Sequence, residues 1–262
     1  MSSTDDVSNG ERRENPLPDN PIVAEISAAA ERLGRPKWEG TGFFEAVEWM
    51  AYALADEVVF TNENQRSFML ADFYDAALAE RALSVSTISH HPVPPERLYT
   101  VGSPSEQLVA GRTTIGYFGR FYAVRGADDL LAPFGELTSD ERARVRLVIF
   151  TTEVEETRAV VAAHAAADCV EVFDALPYFD FLATTRSVDW LMIADAHRPA
   201  EFAINPYLPS KLADYVGSHT PIWGLTEDGS VLSREPLAAK SPLGDAAAGA
   251  EVLRGILRDT AR

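Results

Sequence analysis

Cysteine, lysine and long apolar runs are all scarce in this chain of 262 residues, and each scarcity narrows what it can be. A single cysteine, Cys169, excludes an internal disulfide and a zinc site built from thiolates. Its place in an apolar run ending at Phe173 reads as a buried structural thiol. Positive charge is short as well: 23 Lys and Arg stand against 40 Asp and Glu, a formal net charge of −17. That balance argues against binding DNA or RNA through the backbone, and peripheral membrane contact through a broad basic surface is not indicated. No segment approaches a membrane span, and Met1 is followed by polar residues instead of a basic and apolar leader, so the expected location is the cytoplasm.

What remains is ordinary for a globular protein, 46% apolar and 24% charged, and long enough for one large domain or two small ones. Against the acidic background, local basic clusters carry information. Only three lysines occur, Lys37, Lys211 and Lys240. Two short stretches hold most of the chemistry. Residues 119–126 read Gly-Arg-Phe-Tyr-Ala-Val-Arg-Gly, placing Arg120 and Arg125 in a turn bounded by Gly119 and Gly126. The turn follows the apolar run Thr113 to Phe118, read as a buried strand, and leads into an amphipathic helix marked by Leu130, Leu131 and Phe134. A strand that ends in such a turn and opens a helix presents backbone N–H groups to an anion, and two arginines add forked contacts to phosphate oxygens. Residues 208–215, Leu-Pro-Ser-Lys-Leu-Ala-Asp-Tyr, bring Ser210 and Lys211 to a second helix start behind Pro209. Two cationic helix starts in one α/β domain point to a diphosphate site.

Residues 1–21 are polar and without periodicity, and read as disordered. Residues 22–95 hold about two strands and two or three helices: a helix over Phe43–Leu54, a short strand within Asp56–Asn62 that ends in cap-forming residues, a helix from about Glu63 to Leu78, and a strand Ser84–Ile88. That is too little for a self-contained doubly wound sheet, and it leaves an exposed edge around Val58 to Phe60. Residues 96–112, after the proline-broken segment with His90 and His91, read as a linker. From 113 to 262 strands (Thr113–Phe118, Arg146–Thr151, Cys169–Phe173, Val188–Ile193, Pro221–Leu225) alternate with helices (Asp128–Leu137, Glu155–Ala166, Tyr178–Thr184, Ser210–Val216), and a last helix covers Ala246–Leu257. This alternation predicts a parallel sheet covered on both faces, with ligands at the carboxyl ends of its strands.

These residues resemble the C-terminal, donor-binding domain of a GT-B glycosyltransferase of the family 4 type. Gly119-Arg120, four residues, then Arg125-Gly126 is similar to the turn that holds the donor diphosphate. The stretch Pro209-Ser210-Lys211 through Tyr215 to Thr220-Pro221-Ile222 resembles the region of the family's paired glutamates and its following Gly-x-Pro. Asp214 falls at the second glutamate, which binds the nucleotide ribose, though an aspartate is one methylene shorter. The first glutamate has no clear counterpart; Glu201 is nearby but offset. Ala55-Asp56-Glu57 with Phe60-Thr61-Asn62 is similar to the last strand–helix unit of the acceptor-side domain, most of which is missing. The implied fold class is α/β: a Rossmann-like parallel-sheet domain, the GT-B C-terminal half, preceded by a partial second α/β domain.

The resemblance implies a glycosyltransferase, or its donor-binding part. It would move a sugar from a nucleotide-diphosphate donor to a glycan or lipid-linked acceptor with retention, as in polysaccharide or glycoconjugate synthesis. Arg120, Arg125 and Lys211 would hold the departing diphosphate, with Gly119 and Ser210 beside them. Asp214 would meet the ribose, and the Asp174–Tyr178 turn, with Leu176 and Tyr178, the nucleobase. No cofactor beyond the donor substrate and no metal is implied, since no Asp-x-Asp pair stands in a loop to hold Mg²⁺. Tyr215, four residues after Lys211, is expected to pack. His197 and Arg198, at another carboxyl-end loop, are candidates for sugar or phosphate contact; His164 and His219 read as incidental. A nucleotide-sugar epimerase of the same architecture is an alternative within the enzymes. A non-catalytic or truncated nucleotide-binding remnant, completed by the missing domain portion or a partner chain, is the alternative outside them.

Overall fold

The computed structural model describes residues 43–71, 75–108, 111–121 and 126–259, together with positions 28, 31, 32 and 34. Arg125 and the segment 1–21 lie outside the described residues. Two compact units divide the chain: one takes the residues up to Phe60 with Met69–Ile88, the other Thr61–Phe68 with Ser89–Arg262. Among the described residues no helix is long and apolar enough to cross a membrane.

The first unit contains α1 (Phe43–Leu54), β1 (Val58–Phe60), α3 (Ala76–Ser84) and β2 (Ser86–Ile88), while α2 (Glu63–Ala71) begins in the second. The single helix expected over Glu63–Leu78 is thus two helices. Asp75 starts the second by accepting the Leu78 N–H at 3.1 Å, an N-cap that the apolar pattern alone does not reveal. β1 and β2 pair in parallel over three residues. Trp49, Tyr52, Phe60 and Leu78 form a small buried cluster beneath them, while Val59 is 56% exposed. Among the described residues β1 is paired only by β2, and of the apolar face expected around Val58 to Phe60, Val59 is exposed, Val58 half-buried and Phe60 buried.

The second unit is built on a six-stranded, all-parallel sheet in the order β5-β4-β3-β6-β7-β8: β3 (Thr113–Phe118), β4 (Val145–Thr151), β5 (Val170–Asp174), β6 (Trp190–Ala194), β7 (Ile222–Thr226) and β8 (Ala239–Pro242). Between them run α4 (Ala127–Gly135), α5 (Ser139–Arg142), α6 (Val154–Ala163), α7 (Tyr178–Thr185), α8 (Lys211–Ser218) and α9 (Val231–Arg234), with α10 (Ala246–Asp259) closing the chain. Strands β3 to β7 project alternate residues into two buried clusters, as a sheet covered on both faces must. Ile115, Leu147, Val172, Met192 and Trp223 pack with Leu130, Phe134, Leu253 and Ile256 of α4 and α10. Phe118, Val148, Phe150 and Ile193 pack with Phe181, Leu212 and Tyr215 of α7 and α8. The second cluster also takes in Tyr99, from a 3₁₀ turn over Glu96–Thr100 inside the stretch read as a linker.

The expected strands appear within two residues of their predicted bounds. Cys169 falls in a 3₁₀ turn just ahead of β5, and its thiol is buried, donating to the Ala166 carbonyl at 3.3 Å; burial pushes its pKa up to about 12. The helix predicted to reach Ala166 stops at Ala163, because His164 turns extended and its Nδ1 accepts the Ala166 N–H. β8, Ala-Lys-Ser-Pro, is an addition the sequence does not announce. Lysine and a terminal proline are tolerated there because it is an edge strand.

Strand order carries the functional consequence. The order in which strands are added reverses between β3 and β6, whose successors lie on opposite sides, and ligands of such sheets bind outside the carboxyl ends at that switch. β3 pairs with β4 over six residues but with β6 over only two, Ile115 with Trp190 and Gly116 with Leu191. Beyond Gly116 and Leu191 no further pairs join the two strands, leaving space for a cleft at their carboxyl ends.

Candidate functional site

A cavity of about 110 Å³ occupies this switch point. Its walls come from the end of β3 (Tyr117, Phe118, Gly119, Arg120), the end of β6 (Met192, Ile193, Ala194) and the start of α8 (Pro209, Ser210, Lys211, Tyr215). The fold thus brings the two cationic stretches, some ninety residues apart in sequence, to one place.

Gly119 continues the parallel ladder, its N–H bonding the Phe150 carbonyl at 3.0 Å. Arg120 follows with its side chain 59% exposed. Its guanidinium donates to Glu153, from Nε at 2.8 Å and Nη2 at 2.7 Å, while the Phe121 N–H donates to the other Glu153 oxygen at 3.1 Å. These bonds, the one from Arg120 foremost, hold the Glu153 carboxyl below the ordinary glutamate value. Glu153 does not itself line the cavity, but it bonds a residue that does, and sequence reasoning missed it. The available signal was its position, directly behind the strand Arg146–Thr151: in a parallel sheet every strand's carboxyl end opens on the same edge.

The helix behind the turn is less inviting to an anion than expected. α4 is capped by Gly126, and its first turn carries Asp128 and Asp129, which already complement the helix dipole. Asp129 also receives His197 Nε2 at 2.8 Å. Arg198 lies 3.8 Å from Glu227, so both basic residues of that loop face carboxylates.

α8 presents the opposite picture. Ser210 sits at its N-cap in helical conformation, exposed, with no side-chain cap bond. Among the described residues no carboxylate lies within salt-bridge distance of Lys211; its Nζ stands 4.6 Å from the centre of the Phe181 ring, a cation–π contact. Burial lowers the Lys211 pKa, an effect partly offset by Asp214 one turn along. The Asp214 carboxylate accepts from the Tyr178 hydroxyl at 2.9 Å. Burial raises its pKa, against the opposing pull of Tyr178, Lys211 and His91. Burial and Asp214 together push the Tyr178 phenol up to about 12. Tyr178 is nevertheless 49% exposed at the mouth of the β5–α7 turn, and Leu176 of that turn packs against the second cluster. Tyr215 packs as expected: its hydroxyl accepts the Phe118 N–H at 3.1 Å, tying α8 to the end of β3. Glu201 is exposed in a separate turn and does not line the cavity. His90 and His91 line a neighbouring groove of about 220 Å³ on the other side of Pro209 and Ser210.

No protein-family model matches the chain, and no curated protein does. Solved structures do. One is a sucrose-phosphate synthase from Thermosynechococcus elongatus, at 17% identity and a TM-score of 0.53 over 82% of this chain and 52% of that one. Another is a UDP-forming trehalose-phosphate synthase from Burkholderia xenovorans, at 14% identity and 0.55 over 81% and 55%. A third, from E. coli and described as trehalose-6-phosphate bound with UDP-2-fluoro glucose, matches at 12% and 0.54 over 79% and 54%. The chain spans about half the length of these solved chains, and at such identities the likeness is one of fold. It agrees with the Rossmann-like half of a GT-B architecture and does not single out family 4.

Proposed function

We propose that this chain is the nucleotide-sugar-binding part of a glycosyltransferase, and that the cavity between Arg120 and Lys211 receives the donor diphosphate. The observation that carries this reading is the convergence of both cationic stretches on the switch point of a six-stranded parallel sheet. Two of the solved proteins of similar fold are named for UDP or a UDP-sugar, which makes a UDP-sugar the first donor to try.

Cleaving a glycosyl–phosphate bond leaves negative charge on the departing diphosphate. Cations already in place at that point stabilise the transition state more than the ground state. Lys211 and Arg120 take that role, with Ser210 adding a hydroxyl and Arg125 expected to join them from the same turn. The Tyr178–Asp214 pair offers a carboxylate and a phenol to the ribose hydroxyls. Transfer would be retaining and independent of metal, onto a sugar or sugar-phosphate acceptor. A pocket for a whole small ligand runs to about 300–1,000 Å³, so the 110 Å³ cavity suits the phosphates, with base and sugar lying outside it.

One observation favours a second reading, in which the chain binds nucleotide and turns over only with a further polypeptide. Its first unit carries a sheet of just two described strands, three residues each. A titration of UDP, GDP, ADP and dTDP against thermal unfolding, with Lys211→Met alongside, tests the site. A ligand that binds only the folded state adds about 2.7 kcal/mol of stability at a hundredfold excess over its Kd. A shift with one nucleotide, lost in the variant, is expected; none with any of them overturns the reading. Sugar transfer by the chain alone would remove the second reading.

A further inference from the structure

Glu153 stands where a bound anion would. A guanidinium and a backbone N–H at a strand-to-helix turn are the donors by which such a turn holds a phosphate oxygen. Here both, Arg120 and the Phe121 N–H, end on the two oxygens of one carboxylate. The register puts it there: Phe118 of β3 lies opposite Phe150 of β4, so the chain leaving β4 emerges beside the turn leaving β3. The Glu153 N–H bonds the Thr151 hydroxyl at 3.2 Å, and its carbonyl accepts the Thr157 hydroxyl at 2.6 Å, which fixes the backbone that carries the carboxylate.

The surroundings of the pair are unequal. On the Glu153 side lies a cavity of about 490 Å³ lined by Asp128, Glu153 and Glu156, with Phe121, Thr157 and Val160. An anion approaching Arg120 from there meets three carboxylates. On the other side lies the smaller cavity that Arg120 shares with Lys211.

We propose that Glu153 is a specificity-determining residue of the cleft: its carboxylate fills the Arg120 anion position, so that an anion gains Arg120 only when it holds Lys211 at the same time. This rests on the diphosphate reading above. A solvent-exposed Arg–carboxylate pair is weak enough to be exchanged. A single phosphate that takes Arg120 merely replaces one anion by another. A diphosphate anchored at Lys211 presents its second phosphate to Arg120 at high effective concentration and exchanges with Glu153 readily.

Calorimetric titration of the full chain with orthophosphate, pyrophosphate and UDP tests this, on the wild type, Glu153→Gln and the double variant Arg120→Ala/Glu153→Gln. The amide introduced by Glu153→Gln keeps an oxygen for the Phe121 N–H while removing the charge. Orthophosphate affinity is expected to rise about tenfold or more in Glu153→Gln, since the guanidinium, released from its carboxylate, makes a charge-assisted bond. Pyrophosphate and UDP should gain less, so the preference for diphosphate narrows, and the orthophosphate gain should vanish in the double variant. Glu153→Asp, which keeps the charge on a shorter stem, should fall between and carries the test if Glu153→Gln is unstable. An unchanged preference, or weaker pyrophosphate binding in Glu153→Gln, overturns the proposal while wild-type binding leaves the diphosphate site standing. No binding of pyrophosphate or UDP by any form removes both.

Discussion

Arg120 and Lys211 line the same cavity, yet they are held in opposite ways. Arg120 lies more than half exposed on a turn, its charge met by Glu153 and the following helix already opened by two aspartates. Lys211 is half-buried on a helix, its ammonium against an aromatic ring and, among the described residues, out of salt-bridge reach of any carboxylate. A solvated, compensated cation can be exchanged between anions at little cost. A partly desolvated cation with no such carboxylate acts on an arriving anion through a lower effective dielectric. Two residues of equal charge are thus held unequally, and on the proposed reading Lys211 would anchor a diphosphate to which Arg120 is then released.

The Lys211 side depends on packing, so the largest effect is expected from disturbing that packing. Gly217, on the same helix, lies so close to Tyr99 that a Cβ would sit 2.2 Å from the tyrosine Oη, which itself donates to the Asp214 carbonyl at 2.6 Å. Gly217→Ala should lower stability by about 1–3 kcal/mol, as overpacking does, although alanine is the better helix former. Thermal unfolding measures it, and UDP binding should weaken with it. An unchanged melting temperature would mean that α8 is not held by this contact.

Next comes the direct contrast between the cations. Lys211→Met should weaken nucleotide binding about 10- to 100-fold, because a hydrogen bond to a charged group contributes about 1.5–3 kcal/mol. Arg120→Met should cost less than about tenfold, since its charge is exposed and already met by a carboxylate. Calorimetry on both variants decides it, and an equal or larger loss at Arg120 breaks the comparison.

Smaller effects should appear in the pH dependence of stability, where the carboxylates beside the two cations, Glu153 and Asp214, are displaced in opposite directions. Glu153 is held below its ordinary value by Arg120, so its contribution is present above the unfolded-state value and fades as pH falls through the depressed folded value. Asp214 is raised by burial, so its contribution is full below the ordinary aspartate value and is lost as pH rises through the elevated one. Glu153→Gln should therefore lose stability relative to wild type at neutral pH and not in acid. Asp214→Asn should gain at neutral pH and not in acid. Denaturant unfolding across that range reads both, and two curves displaced in the same direction would contradict the contrast.

Most of the second unit was legible because its strands are continuous apolar runs bounded by polar turns. β3, from Thr113 to Phe118, coincides with its predicted span. What stayed hidden follows from interactions that leave no local pattern. β8 has no apolar run because an edge strand does not need one. The break at Asp75 rests on one side-chain bond inside a polar stretch. Of the site, the two cationic stretches were visible as charge in an acidic chain. Glu153 was not, since among 40 acidic residues only strand order places it beside Arg120. Likewise the Tyr178–Asp214 bond joins two residues assigned separately to base and ribose.

The smallest effect concerns the hydroxyl at the start of α8, and it separates a ligand group from a structural one. Ser210 occupies an N-cap position, yet its side chain makes no cap bond. Ser230, at the N-cap of α9, does: its Oγ accepts the Ser233 N–H at 3.0 Å and donates to Asp195 at 2.6 Å, fully buried. Ser230→Ala should cost about 1 kcal/mol or more, as removal of a serine cap does. Ser210→Ala should stay within about 0.5 kcal/mol, as an exposed surface change does. If Ser210→Ala also leaves the melting temperature in place while UDP binding weakens, the hydroxyl serves the phosphates. A fall matching that of Ser230→Ala would instead make Ser210 a helix cap, and Lys211 alone would represent α8 in the cleft.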